Sequence, residues 1–321
     1  MVEIIPSGQN RGLRERLAPA LQIGLPAIAL VIMLAVIFWI RPTAMSYFGF
    51  TLLFKLAVPL MFASLAQMLV IMLGDIDLSI GSFVGFITCV TALYLDKAPT
   101  LAIAIYLGSV VVYAVVGLLI HVRQLPSIIV TLGMSFIWLG SAVIILPAPG
   151  GTAPPWLLGF MAWRPPFLPL PVLLAILAAA AGHFIISRSS YGVVLRGAGG
   201  NPRAIQRAGW SITVIRSAIY SAAGALGIIA GITLTGLTTS GDPNIAPAYT
   251  LLGVGAVILG GGVFTGGIVS PVGTVIGALT LALAGSLLSF LQVPSTWQIG
   301  AQGGILFLVL AGRVLLAEKK S

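Results

Sequence analysis

Apolar runs about as long as a bilayer is thick follow one another along this chain, at approximately 22–40, 51–73, 79–95, 99–120, 125–146, 167–187, 213–236, 248–262, 273–291 and 298–316. A transmembrane helix needs roughly 20 such residues, so the runs predict an all-α polytopic membrane protein with about ten helices. Two runs are short, and one fits a re-entrant segment as well as a crossing. Composition agrees: 59% of the 321 residues are hydrophobic and 7% are charged, against about 25% charged in soluble domains. So few charges cannot cover a soluble protein of this size. Residues 1–321 are therefore expected to form one transmembrane domain with lipid as its main solvent. The 39 Gly and 20 Pro lie within the apolar runs, which suits close helix packing and broken helices.

Several function classes fall away at once. Cys89 is the single cysteine, and His121 and His183 lie far apart in sequence, so neither an internal disulfide nor a metal-ligand cluster is expected, and no cofactor is implied. The net charge of +9 is not gathered into a nucleic-acid-binding patch. The positive-inside rule accounts for it instead. With both termini cytoplasmic, the inner segments hold Arg11, Arg14, Arg16, Arg123, Arg188, Arg196, Arg203, Arg207, Arg216, Arg313, Lys319 and Lys320. The outer ones hold Arg41, Lys97 and Arg164. Residues 1–20 become a cytoplasmic N-terminal segment and 188–212 a cytoplasmic loop. The outer loop from Pro147 to Pro166, with Trp156 and Trp163, is expected to lie at the membrane interface.

Three segments depart from plain apolar helix. Gly74-Asp-Ile-Asp-Leu-Ser-Ile-Gly-Ser82 places two carboxylates in an apolar region, where a charge at a helix centre costs roughly 3 kcal/mol or more. In a regular helix Asp75 and Asp77 would point about 200° apart, so a broken helix is expected. Asp77 or Ser79 would then cap the half-helix that follows, and Asp75, Asp77 and Ser79 would line a substrate pathway or gate. The second segment, Gly260-Gly-Gly-Val-Phe-Thr-Gly-Gly267, is a near miss for a phosphate loop. Gly267 and Ile268 stand where Lys and a hydroxyl residue are needed, so nucleotide chemistry belongs to another polypeptide. Gly260, Gly261, Gly266 and Gly267 are expected to permit close helix packing beside the pathway.

In the third segment, Tyr191 to Ser211, a two-turn helix is predicted: Asn201 at the N-cap, Pro202 at the first helical position and Gly209 closing the end. Ala204, Ile205 and Ala208 would share one small apolar face. So short a helix needs a partner surface. A weak internal repeat also shows. Val70–Asp75 resembles Ala256–Gly261, with Gly74 matching Gly260, and Gln124-Leu-Pro-Ser127 resembles Gln292-Val-Pro-Ser295. The unequal offsets leave room for one additional span in the first half.

These residues resemble the monosaccharide-type permeases of bacterial ABC importers, the ribose and autoinducer-2 permeases among them. The likeness runs from about Leu65 to Arg313 and rests on the 74–82 string, Pro-Ser-Ile-Ile-Val-Thr-Leu-Gly-Met at 126–134, Gly-Gly-Asn at 199–201 and the glycine-rich region 259–279. It implies a homo- or heterodimer of permeases in the inner membrane, two ATP-binding subunits and a periplasmic substrate-binding protein. It also makes 191–211 the coupling segment, with Gly199, Gly200, Asn201, Pro202, Ala204, Ile205, Ala208 and Gly209 facing the ATPase. The chain itself would carry no catalytic residue. Two departures stand out: Asp75 where relatives usually have Gly, and uncharged Ile268–Pro271 where they usually carry a charge. They leave a nucleoside or a polyol open beside a monosaccharide. The rival reading is an ion-coupled secondary transporter using Asp75 and Asp77. A channel is disfavoured by the lack of a repeated pore motif.

Overall fold

The computed structural model describes residues 9–294 with Trp297, Gly300, Gly303, Gly304 and Phe307, and gives backbone only for 9–23 and 25. The expected last span, 298–316, falls almost wholly outside the described residues, as do Ser295, Arg313, Lys319, Lys320 and residues 1–8. In order, the helices are α1 (Gln9–Ile40), α2 (Tyr47–Lys55), α3 (Ala57–Met72), α4 (Ile80–Tyr94), α5 (Pro99–Arg123), α6 (Ser127–Ile145), α7 (Pro155–Ala162) and α8 (Leu170–Gly182). After them come α9 (Ser190–Gly200), α10 (Pro202–Arg207), α11 (Ile212–Thr238), α12 (Ala248–Leu259) and α13 (Pro271–Phe290). No strand occurs among the described residues, only an isolated bridge between Gly150 and Gly241. The protein is all-α, as the periodicity predicts.

Local chemistry sets most helix starts. The side chains of Ser46, Ser189, Asn201, Ser211 and Ser270 each accept an amide of the helix they precede, and Pro99, Pro155, Pro202 and Pro271 open their helices, where a missing N–H costs nothing. Among the described residues five helices, α5, α6, α8 with its continuation, α11 and α13, are long and apolar enough to cross a membrane, and a sixth arises if α2 and α3 count as one bent span. Pro26–Ile40, α4 and α12 are shorter apolar helices. The expected run 51–73 thus divides at Leu56 with a 44° bend. Pro59 explains it, having no N–H to give the Lys55 carbonyl. From His183 to Arg188, α8 continues as π-helix.

At the centre stands α3, with every residue but Phe62 buried, packed on α11, α12 and α13. On the outside, α5 and α6 expose Leu107, Val111, Ile129, Phe136 and Ile144, as helices facing acyl chains do. The repeat receives a local counterpart. Gln124 and Gln292 both take left-handed φ, +51° and +56°, and the residue after each donates to a carbonyl five positions back. The same closure at Gly74 (φ +81°) recurs at Gly261 (φ +99°), one residue later than the sequence alignment placed it.

Candidate functional site

Between α3 and α4 the chain unwinds from Leu73 to Ser79 and turns back into the bundle. Leu73, Asp77 and Ser79 are buried, Asp75, Ile76 and Leu78 part-buried and Gly74 exposed, so most of the unwound backbone is covered by protein, the condition under which membranes tolerate irregular structure. Its polar groups find named partners. The Ile76 and Leu78 amides donate to Ser127 Oγ (3.2 Å) and Thr131 Oγ1 (3.0 Å) of α6, and Thr131 Oγ1 donates back to the Ile76 carbonyl (3.2 Å). The Gln67 amide, oriented by its surroundings, donates to the Asp77 carbonyl (3.0 Å) and accepts its N–H (3.2 Å). Thus α6, carrying the Pro-Ser-Ile-Ile-Val-Thr string, serves as the frame that holds the break.

The two carboxylates diverge, as a broken helix allows. Asp77 is 1% exposed; its Oδ1 accepts the Ser79 amide (2.7 Å) and hydroxyl (2.6 Å), and its Oδ2 accepts the Tyr113 hydroxyl of α5 (3.1 Å). The expected capping role needs correction. Ser79 occupies the N-cap position of α4 without a capping bond, and Asp77 caps Ser79's own amide rather than one inside the helix. The Gly81 amide is met instead by Thr250 Oγ1 of α12 (3.1 Å), so the N-termini of α4 and α12 meet inside the bundle. Asp75 turns the other way: Arg216 Nη1 of α11 lies 2.8 Å from its Oδ2, and the Tyr220 hydroxyl donates to the same oxygen (3.1 Å).

The glycine-rich stretch after α12 does two jobs. Gly260 lies against the Gly273 backbone of α13, where a Cβ would overlap it, while Gly261, Gly266 and Gly267 take φ of +99°, +81° and +76°. The Gly267 amide donates to the Met72 carbonyl at the end of α3 (2.8 Å).

Of the 191–211 segment, the first half is helix rather than loop. Ser189 caps α9, and the glycines that suggest a flexible stretch serve close approach: a Cβ on Gly199 would collide with the Met72 carbonyl oxygen. The short α10 forms as predicted. Asn201 Oδ1 accepts the Ala204 amide (3.1 Å), and Gly209, at φ +87°, and Trp210 return amides to Gln206 and Ile205. Its apolar face is smaller than expected. Ala204 and Ala208 are exposed, but Ile205 is half-buried with its Cδ1 towards Gly197. Sequence reasoning treated the break and the 191–211 segment as separate; the structure joins them at Met72, Gly199 and Gly267. It missed Gln67, Tyr113, Arg216, Tyr220 and Thr250, whose partners lie far along the chain. Ser127 and Thr131 stood in a recognised string but without a role.

Comparison with known proteins identifies the family. The family described as "Branched-chain amino acid transport system / permease component" matches residues 49–310. The chain belongs to this family. It is 28% identical over 303 residues to the ribose import permease protein of Escherichia coli strain K12, covering 91% of this chain and 92% of that one. It is 30% identical over 258 residues to the ribose import permease protein of Bacillus subtilis strain 168, covering 78% and 79%. With the xylose transport system permease protein of Haemophilus influenzae it shares 34% identity over 143 residues, 44% of this chain and 38% of the other. No solved structure matches. As a member of the permease family with several apolar helices of spanning length, this protein is a multi-pass membrane transport component.

Proposed function

We propose that this protein is the transmembrane subunit of an ABC importer for a monosaccharide, taking its energy from separate ATP-binding subunits and its substrate from a periplasmic binding protein. The observation that carries the reading is the likeness to a ribose import permease over 91% of the chain. Residues 1–321 act as one domain in the inner membrane, paired with a second permease subunit and bathed in lipid, both termini and 188–212 facing the cytoplasm. No group of this chain performs covalent chemistry. Asp77, Ser79 and the Asp75 turn shape the inner part of the route beside Gly260, Gly261, Gly266 and Gly267. Exposed Ala204 on α10 and Ala208 at its C-cap, held in place by Gly199, Gly200, Asn201, Pro202, Ile205 and Gly209, meet the ATPase. An ion-coupled mechanism fits less well, because Asp75 is salt-bridged and Asp77 is fully engaged by Ser79 and Tyr113.

The test is uptake into vesicles carrying this chain with its cognate ATPase and binding protein. Labelled D-ribose or D-xylose is expected to accumulate only with ATP inside. Absence of uptake of either sugar, with accumulation of a nucleoside or an amino acid instead, would overturn the monosaccharide assignment.

A further inference from the structure

Four segments from distant parts of the chain meet at the C-terminal end of α3. The Met72 carbonyl accepts the Gly267 amide (2.8 Å), and the Leu73 carbonyl accepts Arg216 Nη2 (3.4 Å). Gly199 of α9 sits so close to the Met72 carbonyl that a Cβ would not fit. On the other side, a Cβ on Gly267 would lie 2.9 Å from the Gly200 Cα, and one on Gly266 would lie 3.0 Å from both the Gly199 carbonyl oxygen and the Gly74 amide nitrogen. Apart from that of Arg216, these contacts run backbone to backbone with no side chain between them. A displacement of α9 therefore cannot be absorbed by a change of rotamer and must move the end of α3 or the 266–267 turn. Arg216 adds the remaining link. The same guanidinium holds the Leu73 carbonyl and the Asp75 carboxylate, so it ties the first and third residues of the break to α11. Both side chains are mostly buried, 17% and 12% exposed. Removing one partner leaves a poorly solvated charge, so the pair resists separation.

We infer that Arg216 is a positioning residue that makes the break follow the coupling segment: movement of α9 and α10 reaches Met72 through Gly199, and Arg216 carries it to Asp75. The inference rests on the coupling role proposed above for 188–212, which it deepens by naming the route inward. Asp75 gains a purpose other than an ion site. Its charge fastens the break to α11.

Hydrogen–deuterium exchange on the permease–ATPase complex tests this without knowledge of the substrate. In the wild-type complex, trapping with ATP and vanadate is expected to change exchange both in the 190–207 peptides and in the 73–79 peptide. In Arg216→Met and Asp75→Gly the 190–207 response should persist while the 73–79 response is lost, and Arg216→Lys should restore it. A 73–79 response that survives in both uncharged variants overturns the relay and leaves the importer reading standing. Loss of ATPase association in both variants also overturns it, placing the pair in assembly instead. A wild-type complex whose 190–207 peptides ignore nucleotide overturns the coupling role and the relay together.

Discussion

Asp77 shows how a buried carboxylate is accommodated by donors of its own chain. Its two oxygens accept from Ser79 and Tyr113, so what the site needs is acceptors. Asp77→Asn keeps one oxygen for Ser79 and is expected to retain most transport. Asp77→Ala leaves the Tyr113 and Ser79 hydroxyls without this partner, at about 1–3 kcal/mol for an unmet buried group. It should lower the melting temperature of the purified protein and cut uptake. An inactive but stable Asp77→Asn would show that the charge itself is required. Little of this was readable beforehand. The sequence shows two carboxylates in an apolar run, and their cost predicts the break, but Tyr113 lies 36 residues from Asp77 and Arg216 lies 141 from Asp75. Spacing rules reach one or two helical turns. Partners across the bundle are set by packing, which no local pattern records.

Among elements, a helix end is legible where an Asn cap, an opening proline and a closing glycine act within four residues of where they stand. For that reason both ends of α10 were visible, though the inward turn of Ile205 was not. Less so was α9, whose Gly197, Gly199 and Gly200 read as loop until Met72 and Ile205 appear as the surfaces they admit. Two substitutions separate the roles of α10. Ala204→Trp adds bulk on an exposed face, so membrane insertion should be unchanged and recovery of the ATPase subunit in co-purification should fall. Gly209→Val forces a β-branched residue into φ +87°, a strain of roughly 1–2 kcal/mol, enough to loosen the α10 C-terminus; it should weaken ATPase association without abolishing it. In the break, Thr131→Val removes the hydroxyl that meets both Leu78 and Ile76. Faster hydrogen exchange at 76–79 is expected, and unchanged exchange there would mean that α6 is not the frame.

For the whole molecule, the apolar runs located the helices, and nine of the ten coincide with described elements. The runs could not reveal how the elements divide the membrane, since α4 and α12 are too short to cross by themselves and start inside the bundle, where Gly81 meets Thr250. Depth is a tertiary property. Even so, the arrangement places the connections 73–79, 188–212 and 260–270 together at one end, with 92–99, 147–169 and 239–247 at the other. That grouping sets the break, the glycine turn and the α9–α10 segment side by side, as the proposed coupling role of 188–212 requires. The central claim is that ATP, and no ion gradient, drives this machine. It is tested most directly by following uptake of labelled D-ribose or D-xylose into vesicles held at constant internal ATP while an uncoupler collapses the proton gradient. The account predicts uptake that continues in the presence of uncoupler and stops when ATP is withdrawn. Uptake that stops with the uncoupler at constant ATP would contradict it.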